Sequence, residues 1–126
     1  MKRKIIVFGA TGEIGGRIAH LAVQAGHDVT GVCRSPRDTG INMEGVHFIY
    51  GDKYDDSFME SLSGGNFDAV IDTIPNDRAI DRCQKYFPNA KNVFFCSSTG
   101  TYVPLQYFPA DENHPWQEDT GVNFFH

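Results

Sequence analysis

The sequence predicts an α/β fold, a Rossmann-like doubly wound parallel sheet of about five strands. Short apolar runs alternate with segments of helical period along most of the chain. The connections between them are short, so strands joined through helices are expected to lie parallel in one sheet. A glycine-rich turn follows the first apolar run directly, which is typical of this fold class.

The first half of the chain contains three predicted strands. The run Lys4–Phe8 is apolar without alternation, as in strands buried on both faces of a sheet. A helix is predicted at Glu13–Ala25, with Gly26 in the position that favours a helix C-terminus. Strands two and three are predicted at Asp28–Cys33 and Val46–Tyr50. The predicted apolar face of the helix consists of Ile14, Ile18, Leu21, Ala22 and Ala25.

The second half continues the alternation. A short helix is predicted at Asp55–Leu62 and a fourth strand at Phe67–Thr73. Asn76 is expected to cap a third helix, which Pro88 stops, and Asn92–Ser97 is the fifth strand. The predicted apolar face of this third helix consists of Ile80, Cys83 and Phe87.

These elements divide the chain into two parts. Residues 1–102 are expected to form the Rossmann domain. Residues 103–126 contain three of the six prolines and no helical period, so a loop-like tail is expected there.

The stretch "VFGATGEIGG", residues 7–16, predicts a phosphate-binding turn. A helix N-terminus offers unpaired N–H groups and a partial positive charge to an anion. Gly9 suits the tight turn, Gly12 leaves room for a pyrophosphate, and Gly15 allows close packing of helix and strand. A merely flexible loop is the alternative interpretation. The predicted cofactor-binding residues here are Gly9, Thr11, Gly12, Glu13, Ile14 and Gly15.

The residues after the second strand favour NADP over NAD. An acidic side chain there binds the ribose 2′-hydroxyl of NAD, whereas arginine suits the 2′-phosphate of NADP. The sequence "CRSPR", residues 33–37, offers Arg34 and Arg37, and the first acid is Asp38. Arg34 is predicted to stack on adenine and pair with the phosphate, with Arg37 assisting. Two solvated loop arginines, with NAD as the cofactor, remain the alternative.

Further cofactor contacts are expected at the ends of the third and fourth strands. Asp52 is placed to meet the adenine amino group. The backbone of Thr73, Ile74 and Pro75 is expected to flank the ribose and phosphates, although Pro75 is equally explained as a helix-start residue.

Composition excludes several other classes of function. The net charge of −5 argues against a general nucleic-acid or membrane-surface role, and no apolar run is long enough to span a membrane. No His or Cys spacing predicts a metal site. The three cysteines are expected to be reduced, and only four apolar residues follow the basic start, so the cytoplasm is the expected location.

Several stretches together resemble one known family. They are "GATGEIGG", "GDKYDD", "FDAVIDTIP" and "VFFCSSTGTYVP". The chain resembles the extended and atypical short-chain dehydrogenase/reductases, which include NAD-dependent epimerases and dehydratases. In this resemblance Ser98, four residues before Tyr102, matches the catalytic serine or threonine that hydrogen-bonds the reacting oxygen of the substrate. The stretch "PADENHPW" is similar to the family's following motif, with Glu112 as its acid.

The chain departs from the family at the general acid–base. The family's Tyr-x-x-x-Lys falls near Asn123, Phe124 and Phe125, where this sequence has neither residue. The family's C-terminal substrate-binding part is also missing, which leaves the fifth strand as an exposed apolar edge. Unless the tail folds back over it, this edge predicts self-association as a homo-oligomer or poor solubility. The chain is therefore interpreted as an N-terminal fragment, by itself inactive.

The resemblance implies one main function and two alternatives. The main hypothesis is an NADP-binding domain of an epimerase, dehydratase or reductase that acts on a nucleotide sugar or a related carbonyl or alcohol substrate. The alternatives are a non-catalytic dinucleotide sensor and an RNA-associated protein like the chloroplast stem-loop-binding relatives. The acidic charge counts against the RNA hypothesis.

Overall fold

A computed structural model describes residues 1–97 and 112–113. The chain divides into two compact units, Met1–Cys96 and Ser97–His126. The predicted domain boundary at residue 102 lies outside the described residues. The elements of the first unit are β1 (Lys4–Phe8), α1 (Glu13–Gln24), β2 (Asp28–Cys33), β3 (Val46–Tyr50), α2 (Asp56–Ser63), β4 (Ala69–Asp72), α3 (Ala79–Tyr86) and β5 (Asn92–Phe95).

The five strands form one parallel sheet in the order β3-β2-β1-β4-β5, so the predicted fold class is confirmed. From β1 the chain adds β2 and β3 on one side, then crosses to add β4 and β5 on the other. The strand order therefore reverses between β1 and β4. In open sheets of this kind, ligands bind at such a reversal, beyond the carboxyl ends of the strands.

The apolar sequence of β1 reflects burial on both faces of the sheet. Ile6 and Phe8 belong to the core under α2 and α3, whereas Ile5 and Val7 belong to the core under α1. Ile6 and Val7 are fully buried. Successive side chains of a strand point to opposite faces, so a strand with a core on each side needs an uninterrupted apolar run.

The apolar face predicted for α1 is partly wrong. Ile14 and Leu21 are 54% and 65% exposed, and the buried positions are Gly15, Gly16 and Ala19. Without large side chains between them, helix and sheet approach closely, and small residues rather than the bulkiest ones mark the contact line. Half-buried residues beside this line complete the packing, namely Ile18, Ala22 and Val23.

The start of α3 also differs from the prediction. The helix begins at Ala79, and Arg78 is its N-cap residue. The side chain of Asn76 accepts from the N–H of Arg78 at 3.0 Å, so it closes a turn before the helix instead of capping it. Ile80 is exposed, and the buried face of α3 is Ala79, Cys83 and Tyr86.

The helix α2 begins at Asp56, one residue after the predicted start at Asp55. Asp55 is its N-cap residue, and its carboxylate accepts from the N–H of Ser57 at 2.9 Å. The next residue, Asp56, accepts from Arg82 at 2.8 Å and from the Tyr86 hydroxyl at 2.7 Å, and these bonds lower the pKa of Asp56. The start of α2 is thus tied to α3.

Strand β5 is one of the two edge strands of the sheet among the described residues, with β3 at the other edge, and its side chains Val93 and Phe94 are exposed. No helix in the described part of the chain is long and apolar enough to cross a membrane.

Candidate functional site

The loops after β1 and β4 lie on either side of the strand-order reversal. The N–H and the hydroxyl of Thr73 both donate to the carbonyl of Phe8, at 3.2 and 2.8 Å. The hydroxyl of Thr73 also lies against the glycine turn, only 3.0 Å from where a Cβ on Gly15 would be. The two loops are therefore in direct contact where their strands end.

Gly9 makes the turn that the sequence predicts. Its φ is +81°, a conformation that side chains with a Cβ rarely adopt. Its N–H donates to the carbonyl of Val32 at the end of β2 (3.0 Å), and its own carbonyl accepts from the N–H of Gly12 at 2.9 Å. A Cβ at Gly9 would lie 2.3 Å from the Thr73 hydroxyl oxygen, so conformation and space both require glycine.

Gly15 brings the first turn of α1 onto this glycine turn. A Cβ at Gly15 would lie 2.1 Å from the carbonyl oxygen of Gly9, which is closer than any real contact. The backbone of the helix therefore packs directly on the backbone of the loop.

Gly12 differs from the other two glycines. Its backbone is extended, with φ −75° and ψ 169°, and a Cβ there would meet only the Gly9 carbonyl, at 3.2 Å. Gly12 is the N-cap residue of α1, and no side chain caps the helix. Among the described residues, no acceptor bonds the N–H groups of Glu13, Ile14 or Gly15. Together with the helix dipole, these N–H groups give the start of α1 a partial positive charge.

Thr11 connects the glycine turn to the end of β2. Burial raises the pKa of the Cys33 thiol, and hydrogen bonds to the Thr11 side chain and the Ser35 backbone oppose part of that rise. Cys33 is buried at the end of β2, where it packs as a small apolar side chain.

The residues after β2 and β3 form a second, exposed part of the site. Arg34 directly follows β2, and its charge acts on Tyr54, as does the charge of Asp52. The Asp52 carboxylate accepts from the N–H of Tyr54 at 2.9 Å. Desolvation raises the pKa of Tyr54, the Asp72 carboxylate adds to the rise, and Arg34 opposes it. The structure brings Arg34 and Asp52 near one tyrosine, whereas Arg37 lies further along an exposed loop.

A buried ion pair, which was not predicted from the sequence, lies near the carboxyl ends of β3 and β4. Lys53 Nζ lies 2.7 Å from Asp72 Oδ2, and the two side chains are 9% and 8% exposed. The same Nζ donates to the carbonyl of Ile74 at 2.8 Å, and Asp72 Oδ1 accepts from the N–H of Ile74 at 3.0 Å. A signal was present in the sequence, because an aspartate inside a buried strand requires a partner. The sequence could not identify which cation supplies it.

Two of the motif residues implied by the family resemblance, Ser98 and Tyr102, lie outside the described residues. Glu112 is exposed and forms a turn with Asn113. No group of three or more potential metal ligands occurs in the part of the chain that the structure describes.

Comparison with known proteins places this geometry in a family. Residues 1–91 match the model of the NmrA-like family. A curated relative, the chloroplast stem-loop binding protein of 41 kDa b from Arabidopsis thaliana, is 27% identical over 124 residues, which cover 86% of this chain and 32% of that protein.

Solved structures of two enzymes share the fold. The enzyme WbmH of Bordetella bronchiseptica, solved with NAD⁺, has a TM-score of 0.77 and 20% identity over 95% of this chain. A UDP-galactose 4-epimerase has a TM-score of 0.71 and 21% identity over 93% of this chain. The resemblance predicted from the motifs is confirmed. The chain spans about a third of the length of the curated relative and just under half of these two enzymes, at 32%, 47% and 45%.

The glycine turn predicts unequal effects of two alanine substitutions on stability. Gly15→Ala is expected to lower the free energy of unfolding by about 1–3 kcal/mol, because the added methyl overlaps the Gly9 carbonyl. Gly12→Ala is expected to cost less than about 1 kcal/mol, because its backbone is extended and its added methyl would meet the Gly9 carbonyl at 3.2 Å, a contact that a small shift relieves. Urea unfolding followed by circular dichroism measures both, and equal losses would contradict the packing described here.

Proposed function

The chain belongs to the NmrA-like family, and on that premise we propose that it is the dinucleotide-binding domain of an NADP-dependent epimerase, dehydratase or reductase. One observation carries the proposal. An uncapped helix N-terminus lies over a glycine turn at the point where the strand order reverses. This is the arrangement in which Rossmann folds bind a pyrophosphate.

The residues present fit such a cofactor. The backbone N–H groups of Glu13, Ile14 and Gly15 would bind the pyrophosphate, and Thr11 would line its approach. The missing side chain of Gly12 leaves the space that the phosphates need. When bound, the nicotinamide supplies or accepts a hydride, and the protein contributes position and electrostatics.

The adenosine half of the cofactor would lie across the ends of β2 and β3. Arg34 is exposed and follows β2, where a guanidinium can pair with the 2′-phosphate of NADP and stack on adenine. One carboxylate oxygen of Asp52 accepts from the N–H of Tyr54. The other oxygen of Asp52 would accept from the adenine amino group. Arg37 is proposed to assist from its exposed loop.

The other half of the cofactor would lie over the loop after β4. Thr73 packs on the glycine turn, and Ile74 and Pro75 follow it at the mouth of the crevice. Ser98, three residues after the end of β5, is proposed to hydrogen-bond the reacting oxygen of the substrate. The UDP-galactose 4-epimerase with the same fold supports a nucleotide sugar or a related alcohol as the substrate class.

A second candidate function is RNA association, which is favoured by the curated relative, a stem-loop binding protein. A net charge of −5 opposes it, because affinity for RNA depends on neutralising phosphates with Lys and Arg. Titration of the chain into a labelled RNA stem-loop at two salt concentrations distinguishes the candidates. We expect no salt-sensitive binding, and submicromolar binding that weakens steeply with salt would favour the RNA function.

The proposed location is the cytoplasm, where Cys33 and Cys83 would remain free thiols. We also propose that the β5 edge pairs with a second copy of the chain, because Val93 and Phe94 are exposed on it. Light scattering over a range of concentrations is expected to show a dimer that Phe94→Lys weakens. A monomer at all concentrations would remove this part of the proposal.

The cofactor assignment predicts selective binding. Isothermal titration calorimetry is expected to show tighter binding of NADPH than of NADH. Arg34→Ala should weaken NADPH about tenfold, the loss of roughly one charged hydrogen bond, and leave NADH nearly unchanged. Gly12→Ala should weaken both cofactors, because its methyl occupies the pyrophosphate space.

Arg3→Ala is the matched control, because Arg3 directly precedes β1 and so lies at the amino ends of the strands, away from the proposed cofactor site. It should change neither affinity. Preference for NADH would overturn the role of Arg34 while leaving the phosphate site intact. Absence of binding to either cofactor would overturn the proposed function.

A further inference from the structure

The Lys53–Asp72 ion pair lies beside the carboxyl ends of β3 and β4. Both side chains are more than nine-tenths buried, and no polar side-chain atom in the described part of the chain is buried without a partner. Desolvating such a pair costs free energy, which the attraction offsets only where geometry and the surrounding hydrogen bonds are good. Buried ion pairs can often be replaced by apolar side chains at no loss of stability. A role beyond stability would account for the pair.

The pair holds both backbone polar groups of one residue. Asp72 Oδ1 accepts from the N–H of Ile74, and Lys53 Nζ donates to its carbonyl, at 3.0 and 2.8 Å. The other carboxylate oxygen of Asp72, Oδ2, accepts from Lys53 Nζ at 2.7 Å. The orientation of the backbone at Ile74 therefore depends on the ion pair.

Lys53 is itself held in place from the other side. The guanidinium of Arg82 donates to the Lys53 carbonyl at 2.6 Å while it also bonds Asp56. The ammonium group lies 5.9 Å from the centre of the Phe8 ring and 5.5 Å from that of Tyr54. These contacts fix the ammonium group over the end of β1.

Ile74 lies at the mouth of the crevice. Its side-chain carbons are 3.3 and 3.5 Å from the position of a Cβ on Gly9, and 52% of the residue is exposed. It therefore covers the glycine turn from the side of β4. Lys53 directly follows Asp52, on the side of the crevice where the adenosine is proposed to lie.

We propose that Lys53 is a positioning residue for the dinucleotide: through Asp72 it fixes Ile74 and so sets the affinity for the half of the cofactor that lies away from adenine. This inference rests on the proposed function. Lys53 does not contact the cofactor itself, because its side chain is buried against Phe8 and Asp72.

The first test needs no cofactor. Amide hydrogen exchange, followed by NMR, compares the intact chain with Lys53→Met. The Ile74 amide should exchange at least about tenfold faster in the variant. The reason is that Asp72, which accepts from this amide, loses the lysine that orients its carboxylate. The Gly16 amide, which donates to the Gly12 carbonyl, should not change. Unchanged exchange at Ile74 would overturn the inference.

Lys4→Met is the matched control for this experiment. Lys4 is also a partly buried lysine that donates to a backbone carbonyl, that of Gly65, but it lies at the amino ends of the strands. It should leave exchange at Ile74 unchanged. An equal acceleration in both variants would mean general destabilisation and would also overturn the inference.

The second test measures affinities for NADPH and for adenosine 2′,5′-bisphosphate, which has only the adenosine half. Lys53→Met should weaken NADPH about tenfold and leave the bisphosphate unchanged. The double variant Lys53→Met/Asp72→Leu replaces the whole ion pair with apolar groups, so its melting temperature should recover. Its NADPH affinity should stay low.

The outcomes separate the inference from the proposed function. If the intact chain binds neither NADPH nor NADH, the proposed function fails. If it binds NADPH but the double variant binds equally well, the proposed function stands and the role of Lys53 is overturned. If the chain prefers NADH, then NADH and AMP replace the two ligands and the same comparison applies.

Discussion

The contact of Gly9, Gly15 and Thr73 is the constraint on which the rest of the structure depends. The first turn of α1 lies on the carbonyl of Gly9, and the Thr73 hydroxyl fills the remaining space while it bonds the end of β1. Backbone therefore packs on backbone at the point where the strand order reverses. This close packing leaves the N-terminus of α1 open beyond the sheet, with Gly12 as an N-cap residue that has no side chain to occupy it.

Local electrostatics at this edge differ from the charge of the whole chain. The net charge of −5 would repel an anion at a distance. At the crevice, however, the helix N-terminus presents partial positive charge, and Arg34 stands at the end of β2. Lys53 and Asp72 neutralise each other. The ion pair thus stiffens the loop at Ile74 without adding a net charge beside the N-terminus of α1.

Most of the fold could be predicted because its signals are local. An uninterrupted apolar run identified β1 and gave the same bounds as the structure, Lys4–Phe8. The glycines at 9 and 15 predicted the turn, because the positive φ of Gly9 and the lack of room for a Cβ at both positions favour glycine there. The contact line of α1 was not predictable in this way. Ile14 and Leu21 are among its most apolar residues but are mostly exposed, because the sheet packs against the small residues Gly15 and Ala19.

By itself the sequence determined the order of strands and helices, the glycine turn and the position of Arg34 after β2. Each of these depends on residues within a few positions of one another. The tertiary structure decided which residues become partners across the fold. Lys53 and Asp72 are separated by 19 positions, and Thr73 meets the Phe8 carbonyl across 65. Such pairs form only when parallel strands bring their carboxyl ends to one edge, so no periodicity or local propensity could have revealed them.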